Sequence, residues 1–208
     1  MPRRSPWVAG LDLGARRLHW VAIDARGQVR DAATLATLDD LIDRAARTPI
    51  VAIDAPDAPS RAPHADNLRL PLKFRSARCG EIALGLQRRI WVPWTTPAAP
   101  PFPGWMLRGF EAHARLRAVG VTTLETYPHA AFLTWNAGVR PPPKQSRAGR
   151  ITRADLLRAA GLAGHPADSW PHDLLDAAAA ALVARHHLRG EAVAVTCGHD
   201  GSAIWLPP

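Results

Sequence analysis

The order of apolar segments predicts an α/β chain: a mixed five-stranded sheet flanked by helices and interrupted by a long Pro/Arg-rich insertion. Three observations predict it. The first three strand-like runs lie too close together for parallel pairing. The hydrophobic period then becomes helical. Two further strand-like runs each follow a helical segment.

Trp7 to Leu13 (WVAGLDL) is apolar up to a single acid and reads as a buried strand. His19 to Asp24 (HWVAID) reads as a second, Ala25 to Gln28 (ARGQ) as a hairpin turn, and Val29 onward as a third. Parallel return needs a crossover of a dozen or more residues, so these three strands are antiparallel. Leu38, Leu41, Ile42 and Ala45 then recur at i, i+3, i+4, i+7, the stripe of an amphipathic helix that Pro49 stops. Ile50 to Asp54 (IVAID) follows that helix and can run parallel to the first strand. Residues 57–103 are rich in proline and read as an irregular insertion, with a short helix over Glu81 to Leu86. Trp105 to Val119 reads as a helix with Gly120 as its C-cap, and Val121 to Glu125 as the fifth strand, stopped at Tyr127-Pro128. A basic, proline-rich loop spans 140–150. A short helix is expected over Thr152 to Ala160 with Thr152 as N-cap. Pro171 to Leu188, with its alanine run, is the strongest helix signal, and Val193–Thr196 with Ala203–Leu206 reads as a closing hairpin. No repeat or second unit is evident, so residues 1–208 read as one domain.

The 208 residues are 47% hydrophobic and 21% charged, enough for a core without staples. Cys79 and Cys197 are isolated, with neither metal-ligand spacing nor a disulfide framework; one bridge is possible, but two reduced thiols in a cytoplasmic protein are expected. The charged start lacks the apolar core of a signal peptide, and no run reaches membrane-spanning length, so no membrane partner is expected. No feature specifies an oligomer. The net charge of +8 favours polyanionic partners, although the bias towards Ala, Arg and Pro raises arginine by itself.

Acids at strand ends carry the chemistry. Asp12 lies in the first strand, and Asp54 and Glu125 end the fourth and fifth, where a buried carboxylate costs several kcal/mol unless paired or metal-bound. Asp173 and Asp176 share one face of the last long helix at i, i+3, ahead of alanines that allow close packing on the sheet. Each acid alone has a plain explanation in a turn, an ion pair or the helix dipole; together they suit Mg²⁺ or Mn²⁺, which prefer carboxylate oxygen. Arg75 and Arg78 in the insertion, and Lys144 and Arg147 in the later basic loop, are candidate contacts to nucleic-acid phosphates, DNA or RNA. Trp91, Trp94, Phe102 and Trp105 interleave with the first patch and can stack bases or pack the loop. His129 and His172 are candidates for acid–base work or for capping.

The ordered set GLDLG (10–14), VAIDAP (51–56), Arg78-Cys79, MLRG (106–109), ETYPHA (125–130), HDLLDAAAAALVA (172–184) and G-x-x-IWLP (201–207) resembles the DUF429 family, described as predicted nucleases of ribonuclease H-like fold. The resemblance spans nearly the whole chain. It implies a ribonuclease H-like sheet and a two-metal site on Asp12, Asp54, Asp173 and Asp176. In that reading Asp12 bridges the ions and Glu125 is an accessory catalytic acid. The first- and fourth-strand acids and the D-x-x-D-A helix pair are also similar to the RuvC-like resolvases. Gly80 departs from the family pattern, which has an acid there.

The function expected is metal-dependent phosphodiester hydrolysis of nucleic acid. Two alternatives remain open at this point. One is a non-catalytic module of the same fold that binds nucleic acid or protein. The other is an actin-like ATP- or phosphoester-handling protein, suggested by Asp12-Leu13-Gly14 but lacking a second phosphate loop.

Overall fold

The computed structural model describes residues 7–14, 16–164 and 169–208. The charged start read above for a signal peptide lies, over residues 1–6, outside them.

Strands β1 (Val8–Leu13), β2 (Leu18–Ile23) and β3 (Val29–Leu35) form the expected antiparallel meander. The β2–β3 turn is held by Asp24, whose Oδ1 accepts the Arg26 and Gln28 N–H groups. Helix α1 (Leu38–Ala45) starts at a Thr37–Asp40 capping box. It returns the chain to β4 (Ile50–Asp54), parallel to β1, and later β5 (Thr122–Glu125) adds parallel to β4. The order β3-β2-β1-β4-β5 gives the mixed ribonuclease H-like sheet that the sequence predicts.

Central β1 is buried on both faces because each face carries helices. Leu11, Trp20, Val51 and Ile53 pack on one face with α1 and α4 (Gly104–Ala118). Val8, Val21, Ile50, Ala52 and Leu124 pack on the other against α7 (His172–Leu188), with α5 (Pro128–Trp135) and α6 (Arg147–Ala159) outside it. Alanines let α7 lie almost on the β1 backbone. A Cβ on Gly10 would sit 2.0 Å from the Ala177 carbonyl oxygen.

Several elements depart from the sequence reading. The insertion is not structureless: it carries α2 (Leu72–Arg75) and a ten-residue α3 (Cys79–Arg88), longer than the helix expected over 81–86. Helix α5 was read only as the strand stop Tyr127-Pro128, although proline also suits the first position of a helix. Helix α6 begins at Arg147, not near Thr152, with Ser146 as its cap; Gly149 in its first turn admits close contact with the Pro143 carbonyl. Strands β6 (Val193–Val195) and β7 (Ile204–Leu206) form the closing hairpin as a separate sheet, tied to the end of β5 by Thr126 Oγ1–H donating to the Trp205 carbonyl at 2.8 Å. The two cysteines are joined, Cys79 to Cys197, with Cα atoms 5.0 Å apart. This corrects the expectation of two reduced thiols. A partner 118 residues away leaves no local signal. No helix among the described residues is long and apolar enough to cross a membrane.

Candidate functional site

Strand alternation sorts the acids. Asp12 and Asp54 are register partners on neighbouring parallel strands, so their side chains leave the sheet on the same face. That face is the one α7 covers, since Val8, Ile50 and Ala52 at the same parity pack against it. Asp176 stands one residue before the Ala177 carbonyl that touches Gly10. Close packing of α7 therefore delivers Asp176 to the strand ends. Asp12, Asp54 and Asp176 all line one cleft of about 990 Å³.

The electrostatics of this trio are unfavourable without a cation. Burial, and then the charges of Asp176 and Asp173, push the Asp12 carboxyl up to about 8 against the pull of Lys144. Burial and the charges of Asp12 and Asp176 raise Asp54 well above the ordinary carboxylate range. Burial also raises Asp176, though Lys144 Nζ donates to its Oδ2 at 3.1 Å. Asp176 in turn holds the Lys144 ammonium charged against the partial desolvation of its exposed side chain. One lysine thus faces three carboxylates.

Asp173, one turn earlier on α7, lies towards the rim. Its Oδ1 is 2.9 Å from His172 Nε2, and its Oδ2 is 3.5 Å from His19 Nε2. Donor atoms of Asp12, His19 and Asp173 all fall within 4.8 Å of one another. His19 was not singled out in the sequence, where it reads as an ordinary β2 residue. Its parity with Val21 and Ile23, which face α7, is the signal that places it here.

The cleft wall is aromatic and basic. Trp94 packs edge-on to Trp105 (ring centroids 4.9 Å) and to Tyr127 (6.2 Å), and Trp91 lines the same opening. Burial, then Asp54 and Asp176, push the Tyr127 hydroxyl up to about 12. Arg140 joins Lys144 at the cleft. His129 lines it too, held neutral by burial and by the charges of Arg140, Arg153 and Lys144. Arg140 and Tyr127 were missed because one lies in a proline loop and the other looks like a strand terminator.

Other expected residues lie elsewhere. Glu125 has the opposite parity to Leu124 and emerges on the α4 face, away from Asp12 and Asp54. There it is ion-paired with Arg78. Arg78 was expected to contact nucleic acid; instead it is 2% exposed and also binds Asp57 Oδ1 at 3.0 Å, with Glu81 at 3.6 Å. Its environment, dominated by Glu125 once burial is overcome, raises its affinity for the proton further. Arg78 is therefore the anchor of the insertion, reaching the end of β5 from the N-terminus of α3. Arg75 hydrogen-bonds the Leu70 carbonyl at 3.1 Å within the same insertion. Arg147 is exposed on the first turn of α6 and is not among the cleft residues. Of the four basic candidates, Lys144 is the one at the cleft.

The DUF429 resemblance is matched over residues 104–200, which fit the model of that family, described as a protein of unknown function. This stretch contains α4 to α7 with Asp173 and Asp176. Among solved structures the chain is similar to RuvC of Thermus thermophilus, at 17% identity over 88% of this chain and 96% of that one, with a TM-score of 0.47. A second structure, T. thermophilus RuvC in complex with a Holliday junction substrate, is similar at 17% identity over 89% of this chain and 94% of that one, again with a TM-score of 0.47. No curated protein matches the chain.

Proposed function

We propose that the chain is a metal-dependent phosphodiesterase acting on nucleic acid. The observation that carries this reading is the convergence of two buried carboxylates, Asp12 and Asp176, and the half-buried Asp54 in one cleft, where Lys144 pairs directly with Asp176 alone. Burying like charges without compensation is costly, and hard divalent cations prefer such oxygen donors. The residues fit Mg²⁺ or Mn²⁺. Asp12 lines the cleft with Asp54 and Asp176 and also belongs to a donor set with His19 and Asp173 whose atoms lie within 4.8 Å of one another. Divalent ions held by these residues would activate water and stabilise the leaving oxygen of a phosphodiester.

The protein's own groups supply the rest. Lys144 and Arg140 offer charge to phosphates at the cleft. Trp91, Trp94 and Trp105 offer faces on which unpaired bases stack. Neutral His129 is available to accept a proton at the cleft wall. Glu125 and Arg78, joined to each other on the opposite face, have a structural role in this reading.

The test is cleavage of single-stranded, double-stranded and branched DNA and RNA with Mn²⁺ or Mg²⁺. Asp12→Asn, Asp54→Asn and Asp176→Asn should each lower the rate by at least about 100-fold, the order expected when a hydrolytic site loses a principal electrostatic element. Cleavage by Asp12→Asn at the wild-type rate would sink the proposal.

A further inference from the structure

Away from the cleft, three remote segments bring together four side chains that the sequence keeps apart. His64 lies in the chain after β4, Cys79 is the first residue of α3, and Cys197 and His199 flank Gly198 in the β6–β7 turn. One donor atom from each lies within 4.8 Å of all the others. His64 Nε2 is 3.2 Å from Cys197 Sγ and 3.8 Å from Cys79 Sγ. In the described structure the two sulfurs are bonded to each other. We propose that, when this disulfide is reduced, His64, Cys79, Cys197 and His199 bind one Zn²⁺ as a closed four-ligand site.

The chemistry of the donors selects the ion. Two thiolates neutralise a dication and two neutral imidazoles complete a tetrahedron, the usual closed arrangement for structural zinc. From ordinary Zn–S and Zn–N lengths the edges of that tetrahedron are about 3.3–3.8 Å. The His64-to-sulfur separations already lie close to this range. Mg²⁺ and Mn²⁺, which suit the carboxylate cleft, are poorly matched to sulfur. The two sites therefore take different ions.

The surroundings are those of a prepared ligand set. Cys79 opens α3, where the helix N-terminus favours a thiolate. The His199 N–H donates to Cys79 Sγ at 3.3 Å. Asp200 accepts the Cys79 N–H at 3.1 Å and the Ser202 N–H at 2.9 Å, and Thr196 Oγ1 accepts the Gly198 N–H at 3.0 Å, which fixes the turn that carries Cys197 and His199. Gly198 adopts φ +82°, which favours glycine between two ligands. Hydrogen bonds of this kind orient metal ligands and their sulfurs.

Zinc and disulfide are mutually exclusive occupants. Reduction by a phosphine breaks the S–S bond. The phosphine gains oxygen from water and becomes its oxide, and two electrons and the two water protons convert the disulfide to two thiols. Zn²⁺ then displaces both thiol protons to solvent. Either occupant ties the insertion to the C-terminal hairpin.

The experiment titrates Zn²⁺, and in parallel Co²⁺, into the full chain at pH 7.5 after phosphine reduction and removal of metal by a chelator. One equivalent of Zn²⁺ per chain is expected, with a higher midpoint of thermal unfolding. Co²⁺ should give thiolate charge-transfer bands and the intense visible bands of tetrahedral coordination. The oxidised chain should bind neither ion here. Cys197→Ser should abolish the Co²⁺ spectrum. His199→Gln, at an exposed position where folding is not at stake, should weaken Zn²⁺ at least about tenfold, as loss of one ligand does. Asp12→Asn should leave Zn²⁺ binding intact, which separates this site from the cleft. A reduced chain that takes up no stoichiometric Zn²⁺, an octahedral Co²⁺ spectrum, or unchanged binding by His199→Gln overturns the proposal.

Discussion

At Asp12 burial and repulsion act in the same direction, and both disfavour the charged carboxylate. Removing that charge should relieve the folded state. Metal-free Asp12→Asn should therefore be more stable than wild type near pH 8, by about 1–3 kcal/mol, the range seen when buried charge is replaced by a neutral group. Urea unfolding with and without Mn²⁺ checks this, and saturating Mn²⁺ should reverse the order by stabilising wild type alone. His113 makes a second case on the opposite face. Its Nε2 lies 3.2 Å from the Ala55 carbonyl, so Nε2 carries the proton and Nδ1 accepts from the Thr123 hydroxyl at 2.9 Å. Burial, with Arg117 and Arg78 adding and Asp57 opposing, depresses it to about 4. The unfolded chain takes up this proton from about pH 6.5 downward and the folded chain does not until about 4. Stability is thus complete above pH 6.5 and falls as pH drops through that window, by up to about 3 kcal/mol. His113→Gln, which can keep one donor and one acceptor, should flatten that acid limb in denaturant titrations at pH 4.5 and 7; an unchanged limb would assign it to other groups. Asp12 and Asp54 were legible because a charge ending an apolar strand has few inexpensive explanations. Glu125 looked identical in sequence, but its parity relative to Leu124 puts it on the other face with Arg78. His64, His199 and the cysteines left no signal, since their meeting depends on contacts more than a hundred residues apart.

The packing of α7 on β1 converts these residues into a site. The alanine run was visible as helix propensity. Its purpose is steric: Ala177, Ala180 and Ala181 bring backbone against Gly10, where a single Cβ would approach the Ala177 oxygen to 2.0 Å and the Ala181 nitrogen to 2.2 Å. Gly10→Ala must push α7 off the sheet and carry Asp173 and Asp176 with it. We expect a loss of at least about 2–3 kcal/mol, the upper range for overpacking a tight core, since the obstacle is backbone. Mn²⁺ affinity should weaken in the same variant, measured by its effect on thermal unfolding. Wild-type stability and affinity in Gly10→Ala would show that α7 tolerates a wider spacing. Strands and long helices were readable because their period is local. Helix α5 and the first turn of α6 were not, because Pro128 and Gly149 read as breakers when isolated but serve as a helix start and a close-contact residue in place. The α3 start was hidden for a different reason: it is fixed by Arg78 and Glu81, whose partners Glu125 and Thr96 lie outside the helix.

Across the molecule, short connections forced the antiparallel meander and a helical crossover allowed β4 to run parallel to β1, which is why that part of the sheet was legible when the insertion was not. The excess of positive charge has a direction that composition could not give. Arg78 is spent internally on three carboxylates and Arg75 on a backbone carbonyl, whereas Lys144 and Arg140 open on the acidic cleft. A polyanion bound there must displace counterions, so its affinity must fall with salt. For a duplex substrate each phosphate contact contributes close to one unit to the slope of log K against log salt. Arg140→Gln should therefore weaken binding by a similar factor for all sequences and lower that slope by about 1. Arg147→Gln, on an exposed turn of α6 outside the cleft, should leave it unchanged. Fluorescence titrations of the metal-free chain, read through the cleft tryptophans at several salt concentrations, measure both slopes. Equal slopes for wild type and Arg140→Gln would place the nucleic acid on another surface and remove the cleft from the binding interface.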